Sequence, residues 1–152
     1  ATRGQVRFWS AGAPAVLVLR AGGSVEVLAA AGRPLGAAGL VVGEARCALH
    51  AGDRLFVFSD GLPELDVGER ELGYRGVTRM LRDTHGRAGA EARTSITQAV
   101  LAARGSRSQL DDIAFVLIDI HEPVAAAALA AVERAPAMVS PRLRRAGTGG
   151  AT

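Results

Sequence analysis

Apolar residues in the first part of the chain come in short bursts separated by glycine-rich turns, and only from Gly73 does their spacing lengthen to that of a helix. Gln5-Val6-Arg7-Phe8-Trp9 alternates in part, and Ala15–Arg20 is a nearly continuous apolar run after Pro14, so both are predicted as strands. Ala21-Gly22-Gly23-Ser24 reads as a turn into Val25-Glu26-Val27-Leu28, which makes a hairpin with the preceding run. Two more strands are predicted over Val41–Leu49 and Arg54–Phe58, separated by the tight turn His50-Ala51-Gly52-Asp53. Taken together, these segments predict an antiparallel meander.

Beyond Gly73, Tyr74, Val77, Met80 and Leu81 fall on one helical face, and Ile96, Ala99, Val100 and Ala103 define a second helix. The chain returns through Gly105–Gln109 to Ile113–Ile120, a run apolar enough to predict a central strand. Strands, then helices, then a strand give an α+β fold in layers. Residues 122–135 could form an alanine-rich helix opened by Pro123, and 136–152 offer little to bury and are expected to be disordered.

Composition narrows this picture. A chain of 152 residues with 49% hydrophobic content can bury one core. The sequence pI near 10.3 suggests a nucleic-acid binder, yet the net charge is only +3 and every one of the 18 basic residues is Arg. Arg142, Arg144 and Arg145 lie in an acid-free end without aromatics, while residues 1–135 balance 15 Arg against 15 acids. No nucleic-acid partner is therefore expected. A lone Cys47, no apolar run of about 18 residues and no leader pattern point to a cytoplasmic protein of a reducing compartment with no membrane segment. The start at Ala1, directly in a strand-like segment, raises the expectation that something upstream has been lost.

The candidate chemistry lies in two carboxylate-bearing turns. Asp60 and Gly61 follow the run Leu55–Phe58, read as buried on both faces, with Gly61 permitting a sharp turn; Asp111 and Asp112 precede the last strand. These acids can meet only if the two strands lie antiparallel and close in one sheet, where hard oxygens would suit Mg²⁺ or Mn²⁺. Equally, Asp60 can simply cap its own turn, and Asp111 and Asp112 can be solvated loop acids. Glu64 and Asp66 are near enough in sequence to reach a cation through water, although solvent-facing loop acids are the simpler reading. His50, His85 and His121 have no ligand spacing and read as surface or turn histidines, and Cys47 as a small packed residue.

Four ordered blocks then carry a resemblance: Trp9-Ser10-Ala11-Gly12-Ala13-Pro14, Gly32-Arg33-Pro34-Leu35-Gly36, Gly52–Glu64 with Ser59-Asp60-Gly61 at its heart, and Asp111-Asp112-Ile113-Ala114. Together they resemble the C-terminal part of the SpoIIE-like, RsbU-like branch of PPM-type metal-dependent serine/threonine phosphatases, over roughly residues 4–121. The resemblance implies an antiparallel β-sandwich flanked by helices, incomplete on its N-terminal side. It also implies a two-metal Mn²⁺ or Mg²⁺ centre and hydrolysis of phosphoserine or phosphothreonine by a metal-activated water, without a covalent nucleophile. By motif position Asp60 and Asp111 match metal ligands, with Gly61, Asp112 and Glu64 as supporting residues. The implied substrate is a phosphorylated anti-sigma-factor antagonist protein. The family's first metal block, an Asp followed by Gly-His-Gly, is absent; its Asn-Ala-Gly-His-Pro block reads Ser10-Ala11-Gly12-Ala13-Pro14; and Ala114 stands where a hydroxyl residue is common. These departures keep open a non-catalytic phosphatase-fold module that binds a regulatory protein, and half a sandwich implies self-association through an exposed apolar face.

Overall fold

The computed structural model describes residues 4–39, 41–108 and 111–122; the predicted alanine-rich helix and basic tail lie outside the described residues. Among the described residues, six strands and two helices follow in the order β1 (Gly4–Ser10), β2 (Val16–Leu19), β3 (Val25–Leu28), β4 (Gly43–Leu49), β5 (Arg54–Phe58), α1 (Gly73–Arg82), α2 (Gly89–Arg104) and β6 (Phe115–Asp119). The strands form two antiparallel sheets, one of β1 and β4 and one in the order β3-β2-β5-β6.

Strand β2 explains the layering. Its four residues are all buried because successive side chains serve opposite faces. Leu17 and Leu19 join Phe56 and Phe58 of β5 under Val77 and Leu81 of α1 and Ile96 and Val100 of α2. Val16 and Val18 join Leu28, Leu49 and Leu55 against Val6, Phe8, Ala45 and Cys47 of the smaller sheet. The order is thus small sheet, large sheet, helices, a sandwich with helices on one flank.

The meander is not what forms. The hairpin β2–β3 is present, but the chain then crosses to the other sheet, where β4 pairs with β1 over seven residues from Gly4↔Leu49 to Ser10↔Gly43. It crosses back through the His50–Asp53 turn, so β5 pairs with β2 instead of β4. Strand β6 is not central either: among the described residues it is the edge of the larger sheet, beside β5 alone. Its odd residues Phe115 and Leu117 pack toward the helices, while Val116 is 55% and Ile118 44% exposed, as is Val57 beside them at 41%. The run Leu55–Phe58 is therefore covered fully on the helix side only. Apolar content alone cannot distinguish a covered face from an uncovered one.

Candidate metal centre

Strand registers gather the first, second and fourth sequence blocks and the Ser59–Glu64 part of the third at one end of the sandwich, while Gly52, Asp53 and Arg54 lie at the other. Ser10 pairs with Gly43, Val16 with Leu28, Leu17 with Phe56 and Phe58 with Phe115. Hence the segments that follow Ser10, Leu28 and Phe58 and those that precede Val16, Gly43 and Phe115 all lie at the same edge. The first two interlock through glycines: a Cβ at Gly32 would lie 1.9 Å from the Ser10 carbonyl oxygen, and one at Gly12 2.7 Å from the Pro34 ring. Tyr74 of α1 ties this edge to the helices. Its hydroxyl accepts the Ala15 N–H at 3.2 Å, and its ring meets Phe58 edge-on at 6.0 Å. A polar-tipped aromatic on the apolar face of a predicted helix was the only hint of this in the sequence.

The two acidic turns are in direct backbone contact. Ser59 N–H donates to Ala114 O at 2.9 Å, extending the β5–β6 ladder by one bond. The Ser59 hydroxyl donates to Asp112 O at 3.0 Å and accepts the Ala114 N–H at 3.0 Å. Gly61 is buried in this junction, and a Cβ there would lie 2.6 Å from Asp112 O and 3.5 Å from the Asp111 carbonyl carbon. Its φ is not positive. The glycine is thus required by close approach of the other loop and not, as the sequence suggested, by the sharpness of its own turn.

Asp60 and Asp111 are both exposed at this edge. Each carboxylate caps its own loop with one oxygen: Asp60 Oδ1 accepts the Gly61 N–H at 3.1 Å, and Asp111 Oδ1 accepts the Asp112 N–H at 2.7 Å. Asp60 also begins a helical turn, with its carbonyl accepting the Glu64 N–H at 3.1 Å, and buried Leu62 and Leu65 anchor that turn in the core. Asp111, Gly61 and Glu64 line a recess of about 140 Å³ together with Asp66, Glu71 and Ser108; Asp60 and Asp112 are outside its wall. Asp66 is committed to its own loop, accepting the Gly68 N–H at 2.7 Å and lying 3.9 Å from Arg107. Glu71 reaches this recess because residues 66 and 71 bridge as a miniature ladder, a fold-back that sequence spacing does not announce.

These donors fit a hard cation in kind, being carboxylate oxygens at an exposed edge with one oxygen of each turn-capping acid left over. They fall short of a complete shell in number. Among the described residues no group of three or more His, Cys, Asp or Glu side chains is placed to hold a metal ion. Asp60 and Asp111 could hold a cation that keeps most of its waters, as Mg²⁺ does when bound by one or two carboxylates.

The opposite end of the sheet has a different character. Asp53 is 2% exposed and accepts from Arg20 Nη1 at 2.8 Å, Ala21 N–H at 3.0 Å and His50 N–H at 3.0 Å. Burial alone would raise its pKa, and these donors more than offset it, holding the carboxyl below its ordinary range. Arg54, 7% exposed, donates to Asp119, to Thr84 O at 3.2 Å and Oγ1 at 3.1 Å and to Arg87 O at 2.9 Å. His85 and His121 line a larger recess of about 620 Å³ at this end, and His85 Nε2 meets Ala21 O at 2.9 Å. This end locks the helices to the sheet; it is far from the acidic edge.

A family model described as Stage II sporulation protein E (SpoIIE) matches residues 1–121. The chain belongs to that family. Solved structures with the same fold include the SiaA-PP2C domain of Pseudomonas aeruginosa, at 23% identity and a TM-score of 0.68 over 76% of this chain. The phosphatase domain of the cell-fate determinant SpoIIE from Bacillus subtilis, presoaked with Mn, matches at 23% identity and a TM-score of 0.64 over 80% of this chain. The RsbU and RsbW domains of a Mycobacterium tuberculosis protein match at 21% and 0.61 over 81%. This SpoIIE-family chain spans 46%, 52% and 34% of those three chains, respectively. No protein with a curated description matches it. No helix among the described residues is long and apolar enough to cross a membrane.

Proposed function

We propose that this chain is the C-terminal, metal-binding part of a phosphoserine/phosphothreonine protein phosphatase domain of bacterial sigma-factor regulation, with a phosphorylated anti-sigma-factor antagonist as substrate. The observation that carries the reading is the β5–β6 register, which brings the Ser59-Asp60-Gly61 turn against Asp111–Ala114 at the exposed edge where the other family blocks also gather. In this reading Asp60 and Asp111 hold Mn²⁺ or Mg²⁺, while Gly61, Asp112 and Glu64 shape the surrounding loops. A bound divalent cation supplies charge neutralisation for phosphoryl oxygens and a water acidified toward neutrality. The residues of this chain fix the position of that cation and keep the edge open to a protein-sized substrate; none acts as a covalent nucleophile.

Hydrolysis of p-nitrophenyl phosphate by the purified chain, with and without Mn²⁺, tests this directly. Turnover that requires the metal and is lost in Asp60→Asn and in Asp111→Asn is the expected result. A folded chain without turnover at any Mn²⁺ concentration overturns catalysis by this chain and favours a phosphatase-fold module that binds a regulatory protein.

A further inference from the structure

We infer that Ser59 is a positioning residue for the candidate metal centre, a clasp whose hydroxyl sets the separation between the Asp60 and Asp111 turns. The inference rests on the reading of those two acids as metal ligands, and it deepens that reading by naming what holds them in place.

The geometry is specific to the hydroxyl. The β-ladder reaches its terminal pair at Phe58 and Phe115, where β5 ends and β6 begins, and backbone Ser59 N–H to Ala114 O continues beyond it. The next groups out, the Asp112 carbonyl and the Ala114 N–H, have turned away from ladder partners, and the one Ser59 oxygen serves both, as donor to the first and acceptor from the second. A hydroxyl is the smallest side chain that can do both at once. On the far side of the same junction, Gly61 lets the Asp112 carbonyl approach to a distance that any Cβ would block. Ser59 pulls the 111–114 loop in, and Gly61 leaves the space for it. Neither residue is one of the two acids read as metal ligands, and Asp60 and Asp111 flank the clasp in sequence, each one residue away from a clasped group. Loosening it moves one carboxylate relative to the other, and a cation shared by two carboxylates is sensitive to that separation.

The test is Mn²⁺ binding to the full chain, followed by titration calorimetry and by the Mn²⁺ paramagnetic resonance signal, for Ser59→Ala, Ser59→Thr, Gly61→Ala, Asp60→Asn and Asp111→Asn, with circular dichroism confirming folding. Ser59→Ala should weaken binding about tenfold, Ser59→Thr should bind within about twofold of the wild type, and Gly61→Ala should weaken binding with the hydroxyl still present. Exchange of the Ala114 amide proton should accelerate in Ser59→Ala and not in Ser59→Thr. Wild-type affinity in both Ser59→Ala and Gly61→Ala, alongside lost binding in the two Asp variants, overturns the clasp and leaves the ligand assignment standing. Binding unaffected by Asp60→Asn and Asp111→Asn, or absent from the wild type, overturns the ligand assignment and the clasp together. If Ser59→Ala fails to fold, Gly61→Ala and the Ser59→Thr exchange rate decide the matter.

Discussion

Arg54 and Asp119 are register partners at one end of the β5–β6 pair and are also joined by a charged hydrogen bond, while the other end of the same pair leads to Asp60 and Asp111. Two strands thus carry a stability lock and a candidate site at opposite ends. Replacing Arg54 with Met should leave the Asp119 carboxylate and the Arg87 carbonyl without the guanidinium donor, while Thr84 O keeps the Arg87 N–H at 3.1 Å, at a cost of about 3 kcal/mol. Arg54→Lys should recover little, because one ammonium cannot reproduce a planar fork that reaches three residues. Urea denaturation measures both. Wild-type stability in Arg54→Met would show that the lock is dispensable.

Asp53 predicts an acid-sensitive corner. Its carboxyl is held below its ordinary range in the folded chain, so it contributes stability that is complete above the unfolded value of about 3.9 and is lost as pH falls through the lower folded value. The wild type should lose stability below about pH 4 more steeply than Asp53→Asn, which should be less stable at pH 7 and flatter with pH. Parallel denaturation series at pH 7, 4 and 3 provide the comparison. Equal slopes would remove Asp53 from the acid response.

Glycine substitutions should separate contact from conformation. Gly32→Ala drives a Cβ into the Ser10 carbonyl and should cost on the order of 2 kcal/mol. Gly22, with nothing within 4 Å of an added Cβ and no positive φ, should accept Ala with no loss or a small gain. Thermal melts of the two variants decide it; similar melts would mean that the 9–14 and 32–36 blocks do not interlock.

What the sequence made legible was local, or depended on a single pairing. The hairpin Leu19–Val25 and the buried faces of α1 and α2 follow from turn residues and periodicity within a few positions. The antiparallel neighbourhood of β5 and β6 was legible because two acidic turns make sense only there. The assignment of β4 to β1 was not, since nothing in Gly43–Leu49 distinguishes a partner next in sequence from one more than 30 residues earlier. Arg54 and Asp53 were invisible for a related reason. A charged residue opening a strand normally reads as solvent-facing, and only tertiary partners such as Thr84 and Arg20 reveal its burial. At the candidate site the sequence named the carboxylates and placed Ser59 in the Ser59-Asp60-Gly61 block, but it gave Ser59 no contact of its own, because its two partners lie over 50 residues away.

The small sheet covers the larger one unevenly, and a pair of matched substitutions can measure this. Val18, Leu55 and Ile118 are successive register partners on one face, and their exposure rises from 0% through 7% to 44% as the row approaches the β6 edge. Val116 shares that face through its partner Val57 and is more open still. Val→Thr keeps shape and β-branching and adds one hydroxyl, so its cost depends on whether that hydroxyl can reach water. Val18→Thr should cost about 2 kcal/mol, and Val116→Thr should fall within about 0.5 kcal/mol of the wild type. Chemical denaturation of each variant at two protein concentrations gives the difference. A cost at Val116 that matches the one at Val18 would mean that the β6 side of this face is buried in solution, and a cost that grows with protein concentration would identify a second copy of the chain as the cover.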